Sequence, residues 1–124
     1  MILLDTSFVI RALLRGSSAD ARLRRWLSAN EDLGLSTIAL AEFLCGPVEA
    51  AHVELVARIV PHRVPFTDED PAVAARLFNL AGRRRGTLVD CMIAATALRL
   101  GAALASENPE DFRRFQPAGL VVLT

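Results

Sequence analysis

The chain of 124 residues contains no lysine and no tyrosine, and only two cysteines and two histidines. All fourteen basic residues are therefore arginine. Without lysine the chain cannot carry a nucleotide-binding phosphate loop, and it fits neither a receiver domain nor a haloacid-dehalogenase-type phosphatase, since each of these uses a lysine. The Gly-x-Ser-x-Gly turn of a serine hydrolase is also missing. Arginine suits bidentate phosphate contacts, but codon bias explains its use here more simply.

Charge and hydropathy exclude further classes of protein. The formal net charge is zero, which argues against a protein that coats nucleic acid in general. The longest run without a charge is the ten residues 115–124, whereas a membrane-spanning helix needs about 20 apolar residues. The apolar N-terminus lacks a basic flank and is interrupted by Asp5, which argues against a signal peptide. We therefore expect a cytoplasmic protein with no membrane segment.

The cysteines and histidines give no sign of a metal site. Cys45 and Cys91 lie in separate apolar runs with helical character and do not form a metal-type pair. We expect both to be small buried residues in a reducing compartment. His52 and His62 fall on different predicted elements, and we expect both at the surface or its boundary.

Short apolar strands alternate with helical segments along the whole chain. This alternation predicts one domain over residues 1–124, an α/β fold with a three-layer α/β/α sandwich and a mostly parallel sheet of about five strands. Thr6 or Ser7 is expected to cap the first helix, and Pro47 to lie in the first turn of the fourth. The strands are predicted at 1–5, 33–36, 63–66, 102–105 and 120–123, and the helices at about 8–14, 20–30, 37–45, 47–60, 68–84 and 89–100, with a turn or short helix at 109–115.

Three carboxylates stand alone in runs that carry no other charge. Asp5 is the only charge in residues 1–10, Glu42 in residues 33–48 and Asp90 in residues 86–98. Acidic residues are rarely buried without a partner. Three of them on separate core elements suggest acids gathered around a cation that the chain does not encode, most simply a divalent metal.

The predicted fold offers these acids a common place. Asp5 ends the first strand, Asp90 lies in the first turn of the helix before the fourth strand, and Asp111 follows that strand. These positions can converge at one edge of a parallel sheet, where such folds bind ligands. Glu42 lies in mid-helix on a face expected to be buried. Taken singly, Asp5 also fits a helix cap, Asp90 an ordinary N-terminal helix acid and Asp111 a surface residue.

Electrostatic repulsion favours a metal-binding role for these acids over a purely structural role. Two carboxylates about 5 Å apart repel each other by roughly 3 kcal/mol at an effective dielectric constant near 20. Four acids in one pocket therefore either retain protons or bind cations. Oxygen ligands without histidine or cysteine prefer Mg²⁺ or Mn²⁺, and a water on such an ion can attack a phosphodiester.

Four blocks of the sequence, in this order, resemble the PIN-domain ribonucleases of the VapC toxin type. They are MILLDTSFVI at residues 1–10, LSTIALAEFLCG at 35–46, LVDCMIAATALRLGA at 88–102 and ASENPEDFRRF at 105–115. The resemblance covers almost the whole chain, and the third block is specific when it follows the first two.

The resemblance implies roles for individual residues. Asp5, Glu42 and Asp90 match the metal-binding acids, and Asp111 resembles the fourth. Because the fourth acid varies in position within this loop, Asn108 and Glu107 remain alternates or water-holding neighbours. The hydroxyl positions that support the acids are matched by Thr6 and Thr37.

The same resemblance implies an activity and partners. We expect a Mg²⁺- or Mn²⁺-dependent endoribonuclease that cleaves tRNA, rRNA or mRNA and leaves 5′-phosphate and 3′-hydroxyl ends. It implies a homodimeric toxin held inactive by a cognate VapB-type antitoxin, for which the apolar helices of the N-terminal half offer a groove. The alternative is a PIN-like module that binds RNA or protein without cleaving. Arginines expected around the acidic pocket, as contacts for RNA phosphates, are Arg11, Arg15, Arg83–Arg85, Arg113 and Arg114.

Overall fold

A five-stranded parallel sheet forms the centre of the protein, which a computed structural model describes over residues 1–123. The spatial order of the strands is β3-β2-β1-β4-β5, and every pairing is parallel. The predicted fold class is therefore confirmed. The strands are β1 Ile2–Leu4, β2 Leu33–Ser36, β3 Arg63–Val64, β4 Ala103–Ala105 and β5 Val121–Leu123.

Helices cover both faces of the sheet. The chain runs outward from β1 to β2 and β3, then returns across the sheet to β4 and β5. Because parallel crossovers are right-handed, this reversal places the later helices on the opposite face from the earlier ones. The helices are α1 Thr6–Ala12, α2 Ser18–Ser28, α3 Thr37–Cys45, α4 Ala50–Ile59, α5 Asp70–Leu80, α6 Leu88–Leu100 and α7 Glu110–Arg113, followed by a short 3₁₀ turn at Gln116–Ala118.

The central strand β1 is buried on both faces. Leu3 and Leu4, whose side chains point in opposite directions, are each 1% exposed. Gly34 pairs with Leu3 in the neighbouring strand. A Cβ at position 34 would lie 3.0 Å from Cδ2 of Leu3, so glycine leaves room for the core side chain.

Several predicted boundaries are wrong by a few residues, each for a local reason. The first helix begins at Thr6 with Asp5 as its N-cap residue, so neither Thr6 nor Ser7 is the cap. Pro47 lies before α4, whose N-cap is Glu49. The helix predicted to reach residue 84 ends at Leu80, because the chain turns through positive φ angles just beyond it, at Gly82 and Arg83.

Burial corrects one expectation about the cysteines. Cys91 is buried in α6, as predicted, but Cys45 at the end of α3 is exposed. His52 is half-buried and His62 is exposed, which agrees with the surface or boundary positions predicted for them. Within residues 1–123 no helix has both the length and the apolar character needed to cross a bilayer.

Candidate active site

Asp5 lies at the carboxyl end of β1 and is held by two hydroxyl groups. Its side chain is buried, and Oδ2 accepts hydrogen bonds from Ser7 Oγ at 2.8 Å and Ser106 Oγ at 2.9 Å. The backbone N–H of Asp5 donates to the carbonyl of Ala105 at 2.8 Å. Asp5 and Ser106 meet because β1 and β4 are adjacent parallel strands. Two hydroxyl donors on one oxygen fix the orientation of the carboxylate.

The loop after β4 is attached to this same pair of serines. The backbone N–H of Glu107 donates to Ser7 Oγ at 3.1 Å, and that of Asn108 donates to Ser106 Oγ at 3.0 Å. The N–H of Asp111 in turn donates to the carbonyl of Asn108 at 3.0 Å. The segment that carries Asn108 and Asp111 is therefore fastened to the start of α1, beside Asp5.

Glu42 is exposed, so the prediction that it lies on a buried face is wrong. Ala39 and Phe43 supply the fully buried face of α3, and the apolar residues around Glu42 on the other face reach solvent. Its carboxylate nevertheless has a partner, because the Thr6 hydroxyl donates to Glu42 Oε1 at 2.9 Å. The carbonyl oxygen of Ala39, 3.0 Å from the same Oγ1, is a second acceptor for that proton. This contact directs Glu42 toward the start of α1.

Asp90 lies in the first turn of α6, with its side chain 27% exposed. Burial, and then the negative charges of Asp5, Asp111 and Glu42, raise the pKa of Asp90 to about 6. The guanidinium of Arg114 opposes this rise, with Nη2 3.8 Å from Asp90 Oδ2. The other three predicted acids therefore lie near enough to raise the pKa of Asp90. The four acids belong to four different helices: Asp5 is the N-cap residue of α1, and Glu42, Asp90 and Asp111 lie in α3, α6 and α7.

The charge and the oxygen donors of the four acids suit a hard cation, but their carboxylates do not converge on one point. Within residues 1–123, no three acidic, histidine or cysteine side chains lie close enough together to hold a metal ion as they stand. Four carboxylates without histidine or cysteine are the donors that Mg²⁺ and Mn²⁺ prefer. Mg²⁺ keeps several of its waters and needs only one or two carboxylates, so a more open arrangement still suits it.

The remaining predicted residues are placed as follows. Thr37 Oγ1 accepts a hydrogen bond from the backbone N–H of Phe66 at 3.2 Å, which ties the start of α3 to the segment after β3. Asn108 is exposed, and its backbone N–H donates to Ser106 Oγ. Arg83–Arg85 are exposed, and Nη1 of Arg113 lies 3.8 Å from Oε1 of Glu110.

Sequence reasoning missed Ser7 and Ser106 as parts of the site. Ser7 was considered only as a helix cap, and Ser106 only as part of a polar loop. The usable signal was the order of the strands. Once β1 and β4 are neighbours, a hydroxyl directly after β4 must lie beside the acid directly after β1.

Two grooves open near these residues. One, of about 420 Å³, is lined by Ser7, Ile10, Arg11, Leu14, Glu107 and Asn108. The other, of about 450 Å³, is largely apolar and lies between α1, α2 and α4, in the N-terminal half where a groove was predicted. Its walls include Leu23, Leu27, Leu55 and Ile59, with Arg15, Asp20 and Arg24 among its polar residues.

Comparison with known proteins agrees with this architecture. Residues 2–116 match the PIN domain family. Ribonuclease VapC1 of Rickettsia felis is 33% identical over 135 aligned positions, which cover 99% of this chain and 95% of the relative. VapBC2 from Rickettsia felis, solved with a DNA fragment from its promoter, is similar in structure, with a TM-score of 0.75 at 18% identity over 99% of this chain and 98% of that one. A toxin–antitoxin complex from Klebsiella pneumoniae gives a TM-score of 0.73 at 22% identity over 100% of this chain and 97% of that one. At 18% and 22% identity, the likeness to these two structures shows the fold alone. The match to the family and the similarity to Ribonuclease VapC1 show the protein family: this chain belongs to the PIN-domain family and is of the VapC type.

Proposed function

We propose that this protein is a Mg²⁺- or Mn²⁺-dependent endoribonuclease that acts as the toxin of a toxin–antitoxin pair. The observation that carries the proposal is the placement of Asp5 and Glu42 at the start of α1, where hydroxyl groups hold both carboxylates. Burial, and then the charges of Asp5, Asp111 and Glu42, raise the pKa of the neighbouring Asp90 to about 6. A cluster of like charges with a perturbed carboxyl is a common mark of a catalytic site. The ribonuclease name of the Rickettsia felis relative supports RNA as the substrate.

In this mechanism Asp5, Glu42, Asp90 and Asp111 would hold the metal, which would polarise the phosphodiester and lower the pKa of a water molecule. Attack of the water oxygen on phosphorus would break the P–O3′ bond, and the proton that the water loses would balance the proton that the 3′-oxygen gains. The products carry a 5′-phosphate and a 3′-hydroxyl, and the ribose 2′-hydroxyl takes no part.

The protein's own groups have separate tasks in this reaction. Asp90 lies in the first turn of α6, where its carboxylate would bind the cation, and a water on that cation would be the nucleophile. Ser7 and Ser106 keep the Asp5 carboxylate oriented, and Thr6 does the same for Glu42.

The partner in this proposal is a VapB-type antitoxin that lays an apolar segment into the groove between α1, α2 and α4. The named toxin–antitoxin assembly from Klebsiella pneumoniae supports a complex of this kind. We also propose that the toxin is a homodimer, which sedimentation of the purified chain would check.

The decisive experiment is a map of new RNA 5′-phosphate ends after brief induction in cells, with the wild type compared against Asp90→Asn. Discrete new ends in the wild type alone are expected, and they would also identify the target RNA. Equal maps from the two proteins would contradict the proposal.

A second candidate is a PIN-like module that binds RNA or a protein without cleavage. It is favoured by the open arrangement of the acids within residues 1–123, since no three of them are preassembled for a metal. Titration calorimetry with Mn²⁺ separates the two candidates. Millimolar or tighter binding that is lost in Asp90→Asn supports the nuclease, and no binding supports the module.

A further inference from the structure

Arg114 places a fixed positive charge inside the acidic site. It is the residue that follows α7, and its Nη2 lies 3.8 Å from Oδ2 of Asp90. The guanidinium carbon stands 5.2 Å from the centre of the Phe115 ring, which is itself buried. Packing of this kind on an aromatic ring fixes the direction of an arginine side chain.

The hydrogen-bonding capacity of Arg114 is largely unused. Among the side chains of residues 1–123, its Nε is the one buried nitrogen or oxygen atom without a hydrogen-bond partner. The side chain is 22% exposed, and its distance to Asp90 exceeds that of a hydrogen bond. The terminal nitrogens of this arginine therefore face the acids and solvent with their donors free.

Other arginines in the same fold show what a structural role requires. Arg99 donates from Nε to Asp70 Oδ1 at 2.9 Å and from Nη2 to the carbonyl of Pro65 at 2.8 Å. Arg24 donates from Nε to Asp20 Oδ1 at 2.8 Å. In both of these arginines Nε donates a hydrogen bond. The Nε of Arg114 has no hydrogen-bond partner, although the side chain is as buried as that of Arg99, and a buried donor left without a partner destabilises the fold.

We propose that Arg114 is a catalytic residue whose terminal nitrogens bind the non-bridging oxygens of the scissile RNA phosphate. This inference rests on the proposed function. Four carboxylates repel an approaching phosphodiester, and a cation held among them offsets that repulsion. The planar guanidinium presents two parallel donors that match two phosphate oxygens. Because the side chain is already fixed, its interaction with the growing negative charge of the transition state needs no reorganisation.

The test compares Arg114→Met, Arg114→Lys and the matched control Arg76→Met. Arg76 is an exposed arginine on α5, away from the residues that the sequence places around the acidic pocket. Each full-length protein is incubated with total cellular RNA and Mn²⁺, and the rate of appearance of new 5′-phosphate ends is measured. Thermal melting and Mn²⁺ calorimetry are recorded on the same samples.

We expect Arg114→Met to cleave about 100-fold more slowly than the wild type, as when one donor to a transition-state oxyanion is removed. Its Mn²⁺ affinity should be unchanged or higher, since a competing positive charge has gone. Arg114→Lys should recover part of the rate, because it keeps the charge but loses the paired donors. Arg76→Met should cleave within about twofold of the wild type, as expected for an exposed arginine on another helix.

Three results would overturn the inference. Cleavage by Arg114→Met within about threefold of Arg76→Met would reduce Arg114 to a counter-ion for Asp90. Parallel loss of Mn²⁺ affinity and cleavage would make it a positioning residue for the metal site. If Arg114→Met does not fold, a fully active Arg114→Lys would exclude the need for paired donors. Failure of the proposed function is distinct, because the wild type itself would then release no new 5′-phosphate ends.

Discussion

The hydroxyl of Thr6, at the start of α1, lies 2.9 Å from Oε1 of Glu42, in the middle of α3. Thirty-six positions separate the two residues in sequence. The contact joins the helix that follows Asp5 to the helix that carries Glu42, which is exposed, as is Asp111. An exposed glutamate would otherwise sample many rotamers, so this hydroxyl determines how Glu42 faces the other acids.

Replacing Thr6 by valine should impair the site without unfolding the protein. Valine has the same shape as threonine but cannot donate to Glu42, and loss of a group that orients a metal ligand typically costs 10- to 100-fold in metal affinity or activity. We expect a loss of about 10-fold in Mn²⁺ affinity by calorimetry. Thr6→Ser keeps the hydroxyl and serves as the control. Equal Mn²⁺ affinity in the two variants would show that Glu42 needs no such support.

Ser106 should matter both for Asp5 and for the loop after β4. Ser106→Ala removes one of two donors to Asp5 Oδ2 and the acceptor of the Asn108 N–H. We expect the free energy of unfolding to fall by about 1–3 kcal/mol, because polar groups lose their partners. We also expect a 10- to 100-fold loss of Mn²⁺ affinity. Ser18→Ala, at an exposed serine of α2, is the matched control. Loss of stability with unchanged Mn²⁺ affinity would confine Ser106 to a structural role.

The charge of Asp90 should make the metal-free protein less stable as the pH rises. The pKa of Asp90 is raised from 3.8 to about 6, so the folded state holds the proton more tightly than the unfolded chain. The resulting stability is fully present below about pH 4 and is lost as the pH rises through about 6. A shift of this size is worth about 3 kcal/mol for a fully buried carboxyl, and screening at a partly exposed side chain reduces it to roughly 1–2 kcal/mol.

Asp90→Asn should therefore be more stable than the wild type at pH 7 and no more stable near pH 4. Urea unfolding without metal at both pH values measures the difference. Glu110→Gln is the control, since Glu110 is an exposed acid on α7. Added Mn²⁺ should stabilise the wild type but not Asp90→Asn. A gain that is independent of pH would point to packing instead of charge.

The bounds of a helix or strand could be predicted from the sequence where a local residue pattern determines them. Leu33–Ser36 and Thr37–Cys45 were predicted with the bounds the structure has, because a short apolar run passes there into a helix capped by Ser36, whose side chain accepts from the N–H of Ala39. The same reasoning placed the end of α6 at Gly101, which adopts the left-handed conformation with φ of 62°. It failed at Leu80, because nothing in the residue types indicates that Arg83 has a positive φ.

The four candidate acids could be singled out from the sequence, but the groups that surround them could not. Asp5 and Asp90 stand out in sequence because each interrupts a charge-free run. The same rule misjudged Glu42, since a run of small apolar residues can form a helix with one exposed face. Ser106 carries no sequence signal of its own, and Arg114 is only one of several arginines that the sequence places around the pocket. Their roles depend on the adjacency of β1 and β4 and on the packing of the segment after α7, which are tertiary relationships.

Asp70 is a buried acid that belongs to the fold and not to the site. Oδ1 accepts from Arg99 Nε at 2.9 Å and Oδ2 from the Thr67 N–H at 2.9 Å, which joins the start of α5 to the end of α6. Asp70→Asn leaves Arg99 without its charge partner, so we expect the free energy of unfolding to fall by about 3–5 kcal/mol. Chemical denaturation measures the loss. The folded fraction should keep the wild-type Mn²⁺ affinity, and a selective loss of that affinity would connect Asp70 to the site.

The apolar groove between α1, α2 and α4 should be the surface that retains the antitoxin. Leu55 lines this groove and is 39% exposed, so Leu55→Asp places a charge in it at little cost to the fold. A charged group on an apolar contact surface must be desolvated when a partner binds, and we expect the affinity for the antitoxin to fall at least 10-fold.

Tagged wild type purified from its own cells should retain a small protein partner that Leu55→Asp loses. Leu80→Asp is the control, because Leu80 is 72% exposed on α5, which does not line the groove. Because the groove does not include the four acids, purified Leu55→Asp should still cleave RNA. Retention of the partner by Leu55→Asp together with its loss from Leu80→Asp would move the binding surface to α5.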